Sequence, residues 1–251
     1  KFELTDSNKG DKLIESFIQA YEELFNQYNA AKELIDYKLA EQKLLTLDEL
    51  TKNYDFINAS IHAELGNLYQ LSMKEYLKAE SAYIKSLKLD PSKFDTFYAL
   101  GNLYQVHLHK YLDAEYAYLQ AIAIDSNNPH VWNDLGFLYL KKWNKLTEAK
   151  NAFNNAITID GNLARSWVGL GDLSKINQNY IEAEALFLKA IKLDENLTDA
   201  WNGLGNLYQD HFKKYIEAEK AYINALNLDQ NLFVAKYNLV FLYRDKFNRI
   251  N

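Results

Sequence analysis

No cysteine occurs in this chain, so disulfide frameworks, thiolate nucleophiles and cysteine metal sites are excluded from the outset. Proline appears twice and methionine once in 251 residues, so long helices are interrupted by little other than their own caps. No apolar run approaches the roughly 20 residues that a membrane-spanning helix needs. A phosphate-binding glycine loop, a Gly-x-Ser-x-Gly elbow and a His-Glu-x-x-His pair are all missing. His107 and His109 flank Leu108 without further ligands at metal spacing, and read as surface turn histidines. The pairs Glu182/Glu184 and Glu217/Glu219 read as solvated helix faces rather than acid–base pairs in a cleft. Net charge is −6 with no basic stripe, which argues against nucleic acid and against an anionic membrane surface as partners. These absences predict a non-catalytic chain with no cofactor and no metal, in a cytoplasmic location.

What is present is a period. Gly66, Gly101, Gly136, Gly171 and Gly205 follow one another at steps of 35, 35, 35 and 34 residues. Leucine precedes each. Four residues before stands Phe97, Trp132, Trp167 or Trp201, with His62 as the exception, and three residues after stands Tyr69, Tyr104, Tyr139 or Tyr208, with Ser174 as the exception. Offsets −4, −1, 0 and +3 share one face of an α-helix. Glycine is a poor helix former, so its return at one helical position predicts a neighbouring helix too close for a β-carbon.

A second amphipathic helix follows in each copy. Ala79, Ala114, Ala149, Ala183 and Ala218 are each followed at +4 by a ring, at +7 by a small residue and at +10 by leucine or isoleucine. The rings are Tyr83, Tyr118, Phe153, Phe187 and Tyr222. An aspartate closes every copy (Asp90, Asp125, Asp160, Asp194, Asp229), with turn residues after it. The spacing predicts helix pairs near 58–72/76–89, 94–107/111–124, 129–142/146–159, 164–176/180–193 and 198–211/215–228.

The aromatic-x-x-Leu-Gly-x-x-Tyr block and the later Ala-x-x-x-aromatic-x-x-Ala block resemble the tetratricopeptide repeat family over about residues 55–229. The resemblance implies an all-α fold, a right-handed α-solenoid of helix-turn-helix repeats. Two departures stand out. The family's proline after the second helix survives only as Pro91, and four copies carry one extra residue between the helices. Those copies place Met73, Leu108, Trp143 or Phe212 at offset +7, which predicts a longer first helix or turn that tucks this side chain under the neighbouring repeat.

In the resembled family the first helices line a concave groove. Its exposed positions, carried onto this sequence, give amides at Asn67, Gln70, Asn102, Gln105, Asn133, Asn202, Asn206 and Gln209, and a centre of Phe137, Lys141, Arg165 and Lys175. Asparagine and glutamine both donate and accept, so a ladder of them fits the backbone of an extended peptide, while the apolar and basic centre would select side chains. The bland alternative is that these amides are a soluble helix surface copied by duplication. The family's carboxylate clamp needs a lysine at offset −3; Ala63, Tyr98, Asn133, Val168 and Asn202 stand there, which argues against that partner class.

Residues 230–251 begin a sixth copy, with Val240 in the glycine slot, and stop before its second helix. The first residue is lysine, and the chain reads as a piece of a longer protein. Residues 1–52 lack the repeat word. Ile14, Phe17, Tyr21, Leu24, Tyr28, Ala31 and Ile35 form a heptad stripe there, within one long helix or two, and Thr46 with Glu49 fits a capping box. The expected organisation is therefore a helical cap or connector over 1–52, five repeats over 53–229, and the first helix of a truncated sixth. The leading functional expectation is a scaffold that binds a protein or peptide segment. A regulatory segment of a larger multidomain protein, and a homodimer formed through the N-terminal helix or the open C-terminal repeat, stay as alternatives.

Overall fold

The computed structural model describes residues 7–245, with side chains from 15 to 244. Its regular structure is all helical, with no strand among the described residues, and none of its helices is long and apolar enough to cross a membrane. The chain divides after Ile124 into two compact units.

The first unit contains α1 (Ser7–Glu33), α2 (Tyr37–Thr51), α3 (Asp55–Asn67), α4 (Tyr76–Leu89), α5 (Phe94–Asn102) and α6 (Tyr111–Ile124). Ile35 adopts φ 60°, which ends α1, and the Asp36 carboxylate accepts from the Leu39 N–H at 3.1 Å to start α2. The heptad stripe therefore breaks at Ile35, which is exposed, whereas Tyr28 and Ala31 are buried against the unit's own helices. Thr46 caps nothing. It lies inside α2 and its hydroxyl donates to the Gln42 carbonyl, the back-bonding expected of a mid-helix threonine.

In the second unit the elements are α7 (Pro129–Leu138), α8 (Leu146–Ile159), α9 (Ala164–Ile176), α10 (Tyr180–Leu193), α11 (Thr198–Leu207), α12 (Tyr215–Leu228) and α13 (Phe233–Asp245). α7 starts on Asn128, whose side chain accepts from the His130 N–H, with Pro129 in the first turn. The closing aspartates make turns by accepting from the N–H two residues on: Asp160 from Asn162 at 2.9 Å, Asp194 from Asn196 at 3.0 Å. α13 packs through Ala235 and Leu242 on the Tyr222 core of α12.

The glycine slots carry the packing. A β-carbon on Gly66 would lie 2.3 Å from Tyr83 Cε1, and one on Gly136 would lie 2.7 Å from Phe153 Cδ1. The close neighbour is thus the ring of the repeat's own second helix. Those five rings are almost wholly excluded from water. Burying each contributes about 1.5–3 kcal/mol.

The extra residue of the 35-residue copies is absorbed as a π turn: Leu68–Met73, Leu103–Leu108, Tyr139–Trp143 and Tyr208–Phe212. The carbonyl at offset +3 shows how. In the short copy the Asn179 N–H closes on the Ser174 carbonyl, five residues back. In the longer copies the Glu75 N–H reaches Tyr69 and the Lys214 N–H reaches Tyr208, six residues back. The helix widens from i+4 to i+5 bonding and still delivers the chain to the same second helix. Phe212 then packs against the fourth-repeat core built on Phe187, as its spacing predicts.

His62 occupies the slot that holds Phe97, Trp132, Trp167 or Trp201 elsewhere. It is buried, with Nε2 2.8 Å from Asp48 Oδ1. Burial pushes its pKa below the ordinary 6.5; Asp48 opposes this and Lys85 adds to it. A folded pKa below the unfolded one means that folding favours the neutral ring. Its stabilisation is therefore present above pH 6.5 and lost as pH falls through the folded value. Thermal melts across pH 7 to 5 should show the melting temperature falling as the solution is acidified. His62→Phe should flatten that slope; an unchanged slope would place the acid sensitivity elsewhere.

Candidate functional site

The amide positions do not present themselves freely. In the first unit the Tyr83 hydroxyl lies 2.9 Å from Asn67 Oδ1 and 2.8 Å from Gln70 Oε1. Tyr118 lies 2.8 Å from Asn102 and 2.7 Å from Gln105. In the second unit Tyr222 lies 2.8 Å from Asn206 and 3.3 Å from Gln209. A phenol has one proton, so it donates to one amide oxygen and is best satisfied when the other amide turns its NH2 toward the phenolic oxygen. Burial, then the charge of Glu64, raises the Tyr83 pKa; burial, then Asp210, raises that of Tyr222. These hydroxyls stay protonated and keep the donor role. Half of each pair's hydrogen-bonding capacity is thus spent inside the repeat.

Repeats whose second helix carries phenylalanine have no such pair. Opposite Phe153 stand Phe137 and Leu140, and Phe137 meets Phe153 edge-on at 4.9 Å. Opposite Phe187 stand Asp172 and Lys175, paired at 3.0 Å. Tyrosine thus goes with Asn-x-x-Gln and phenylalanine goes without it, a correlation visible in the sequence and overlooked when the amides are read alone. It makes Tyr83, Tyr118 and Tyr222 part of the amide system. Tyr118→Phe should cost about 0.5–1.5 kcal/mol, measured by denaturant melts. A midpoint indistinguishable from that of the unaltered protein would show that the hydroxyl contributes nothing.

Three predicted positions are buried rather than exposed. Gln70 and Phe137 are 8% and 4% exposed, and Asn133 is 3% exposed. Asn133 is held between α7 and α9: it accepts from Ser166 Oγ at 3.0 Å and donates to Asp134 at 3.0 Å. Asn202 is half-buried, and its Oδ1 is covered without a hydrogen-bond partner among the described residues. Asn206 also accepts from Asn238 of α13 at 2.7 Å.

The basic centre does come together in the second unit. Lys141 Nζ stands 4.9 Å from the centre of the Phe137 ring, and Arg165 Cζ stands 5.2 Å from it. Both cations are exposed, whereas the ring beneath them is buried. Neither has a carboxylate partner among the described residues. Lys175 lies on the same helix as Arg165, with Asp172 beside it. Among the described residues no group of three His, Asp or Glu side chains could hold a metal. Glu184 accepts from Tyr208, and Glu219 from Tyr243 at 2.7 Å, so the carboxylates expected on a solvated face tie adjacent first helices to the array. His107 stacks on Tyr76 at 4.1 Å.

Tetratricopeptide repeat family models match residues 59–93, 117–151 and 164–197. No curated protein matches. Among solved structures, a tetratricopeptide repeat protein from Parabacteroides merdae aligns at TM-score 0.66 and 17% identity, covering 89% of this chain and 99% of its own. PilF of Pseudomonas aeruginosa aligns at 0.63 and 23%, covering 76% and 85%. YrrB, a TPR protein with an unusual peptide-binding site, aligns at 0.57 and 21%, covering 75% and 95%. At these identities the likeness is one of fold. Repeat word, helix pairs and family matches agree: residues 59–93, 117–151 and 164–197 are tetratricopeptide repeats.

Proposed function

We propose that the protein is a non-catalytic interaction scaffold whose second unit binds an acidic peptide segment of a partner protein. The observation that carries this reading is the cation pair over Phe137: Lys141 and Arg165 both cover one buried ring, and neither has a carboxylate partner among the described residues. A guanidinium held over an aromatic face keeps its donor edge for a ligand carboxylate, which it meets with two parallel bonds. Lys175 supplies a third cation, partly offset by Asp172. Asn202, Asn206 and Gln209 would then meet the peptide backbone with the amide groups left over from Tyr222 and Asn238. The unpartnered Asn202 oxygen costs about 1–3 kcal/mol, a cost that a ligand donor would relieve after a turn of the amide. Asn67, Asn102 and Gln105 offer the same leftover groups in the first unit, and peptide binding by a fold relative such as YrrB supports the general reading.

The test is a fluorescence anisotropy titration of the whole chain with a labelled Asp/Glu-rich peptide, against the same peptide carrying Asn and Gln in place of the acids. The acidic peptide should bind saturably and weaken as salt rises, because exposed cations are screened beyond about 10 Å at 0.1 M. Equal binding of the two peptides would overturn the reading. A second reading, self-association, draws on α13, where Phe233 and Tyr237 are 75% and 62% exposed. Light scattering across concentration should then report a dimer that Phe233→Lys with Tyr237→Lys dissolves.

A further inference from the structure

The first unit contains a pocket of about 490 Å³ that none of the predicted site residues except Asn67 touches. This volume falls within the roughly 300–1,000 Å³ of small-ligand and side-chain sites. Its walls come from five helices. α1, which carries no repeat word, contributes Tyr21 and Phe25; α2 contributes Leu44, α3 Glu64 and Asn67, and α4 Tyr83; the start of α5 contributes Lys93 and Asp95. Tyr28 and Ala31, both 2% exposed, anchor α1 so that its preceding turn forms the aromatic wall. Tyr21 and Phe25 stack with ring centres 6.0 Å apart and planes within 7°.

Glu64 is the chemically telling group. It is half-buried, the Tyr28 hydroxyl donates to its Oε2 at 3.0 Å, and no cation pairs with it among the described residues. Lys93, the base that shares the pocket, is held at its wall away from Glu64: its Nζ donates to Ser60 Oγ, also of the lining, at 2.9 Å and lies 5.2 Å from the Phe56 ring, and it makes no ion pair with Glu64. Asp95 adds a second carboxylate at the exposed edge. Residues 1–124 hold 13 lysines and no arginine against 19 acidic residues, so the whole formal net charge of −6 resides in this unit. A partly desolvated carboxylate between flat rings, in an anionic unit, complements a planar cation that can stack and fork at once.

We infer that this pocket receives an arginine side chain from a basic peptide segment of a partner protein, with the guanidinium on Glu64 and against Phe25. The inference stands apart from the acidic-peptide reading of the second unit, since it uses other residues and the opposite charge. The probe is a short labelled Gly/Ser peptide with paired arginines, titrated into the whole chain. Saturable binding is expected. Glu64→Gln, which keeps an acceptor for Tyr28, should weaken it roughly tenfold or more. Phe25→Ala should weaken it about fivefold, and lysine in place of arginine in the peptide should bind less well. Unchanged affinity in Glu64→Gln would overturn the site. Competition by free arginine at the peptide's own affinity would overturn the peptide as its occupant.

Discussion

Gly136→Leu should destabilise the protein by about 1–3 kcal/mol, although the same substitution on an open helix surface would stabilise it by up to about 1 kcal/mol. The sign reverses because of Phe153. Any β-carbon at 136 would lie 2.7 Å from that ring, and a ring free to swing aside would make the change cheap. This one is not free: a β-carbon on Gly169 would lie 2.3 Å from its Cζ. Glycines from two consecutive repeats therefore both press on one ring, and added volume must move a helix. Asn102→Ala is the contrast. It removes one of two amides that share the Tyr118 proton, and Gln105 remains, so the loss should stay under about 1 kcal/mol. Denaturant melts of the two variants decide the matter. Equal losses would mean that the packed and solvent faces are wrongly assigned.

The second helices were legible to the residue. The spacing predicts 76–89, 111–124, 146–159, 180–193 and 215–228, and α4, α6, α8, α10 and α12 have those bounds. Two signals coincide there: a run of small and aromatic residues at helical spacing, and a closing aspartate that makes a turn. The first helices were harder at their ends. An apolar residue at offset +7 fits an extended α-helix as well as a π turn, because both bring that position back to the core; only the hydrogen bond to the offset +3 carbonyl tells them apart. The α1–α2 break was hidden because Ile35 continues the heptad stripe, while the Asp36 cap is a weak signal on its own.

The candidate site was legible in type and only partly in exposure. Lys141, Arg165 and Phe137 converge, since offsets +5, −6 and +1 of neighbouring first helices face the same way. The amides were read as free because a helical wheel shows which way a side chain leaves the helix and not what lies beneath it. The tyrosine hydroxyl seventeen residues after Gly66, Gly101 and Gly205 lies beneath it, and exchanging tyrosine for phenylalanine at that place changes what the first helix must offer. The Glu64 pocket escaped altogether, because α1 builds its aromatic wall and carries no repeat to align.

The second large effect concerns the acidic-peptide site, and it is the most direct measurement of the account. Lys141→Glu with Arg165→Glu places two carboxylates over Phe137 in place of two cations. Binding should fall by far more than the roughly tenfold of a single lost charge-assisted bond, because attraction becomes repulsion against the ligand's own acids. Stability should barely change, since both side chains are exposed and neither is in an ion pair among the described residues. The measurement is the anisotropy titration with the Asp/Glu-rich peptide, run beside a thermal melt of the same preparation. Loss of binding with an unshifted melt is the predicted result. Retained binding at an unshifted melt would contradict the account and move peptide recognition away from the Phe137 face.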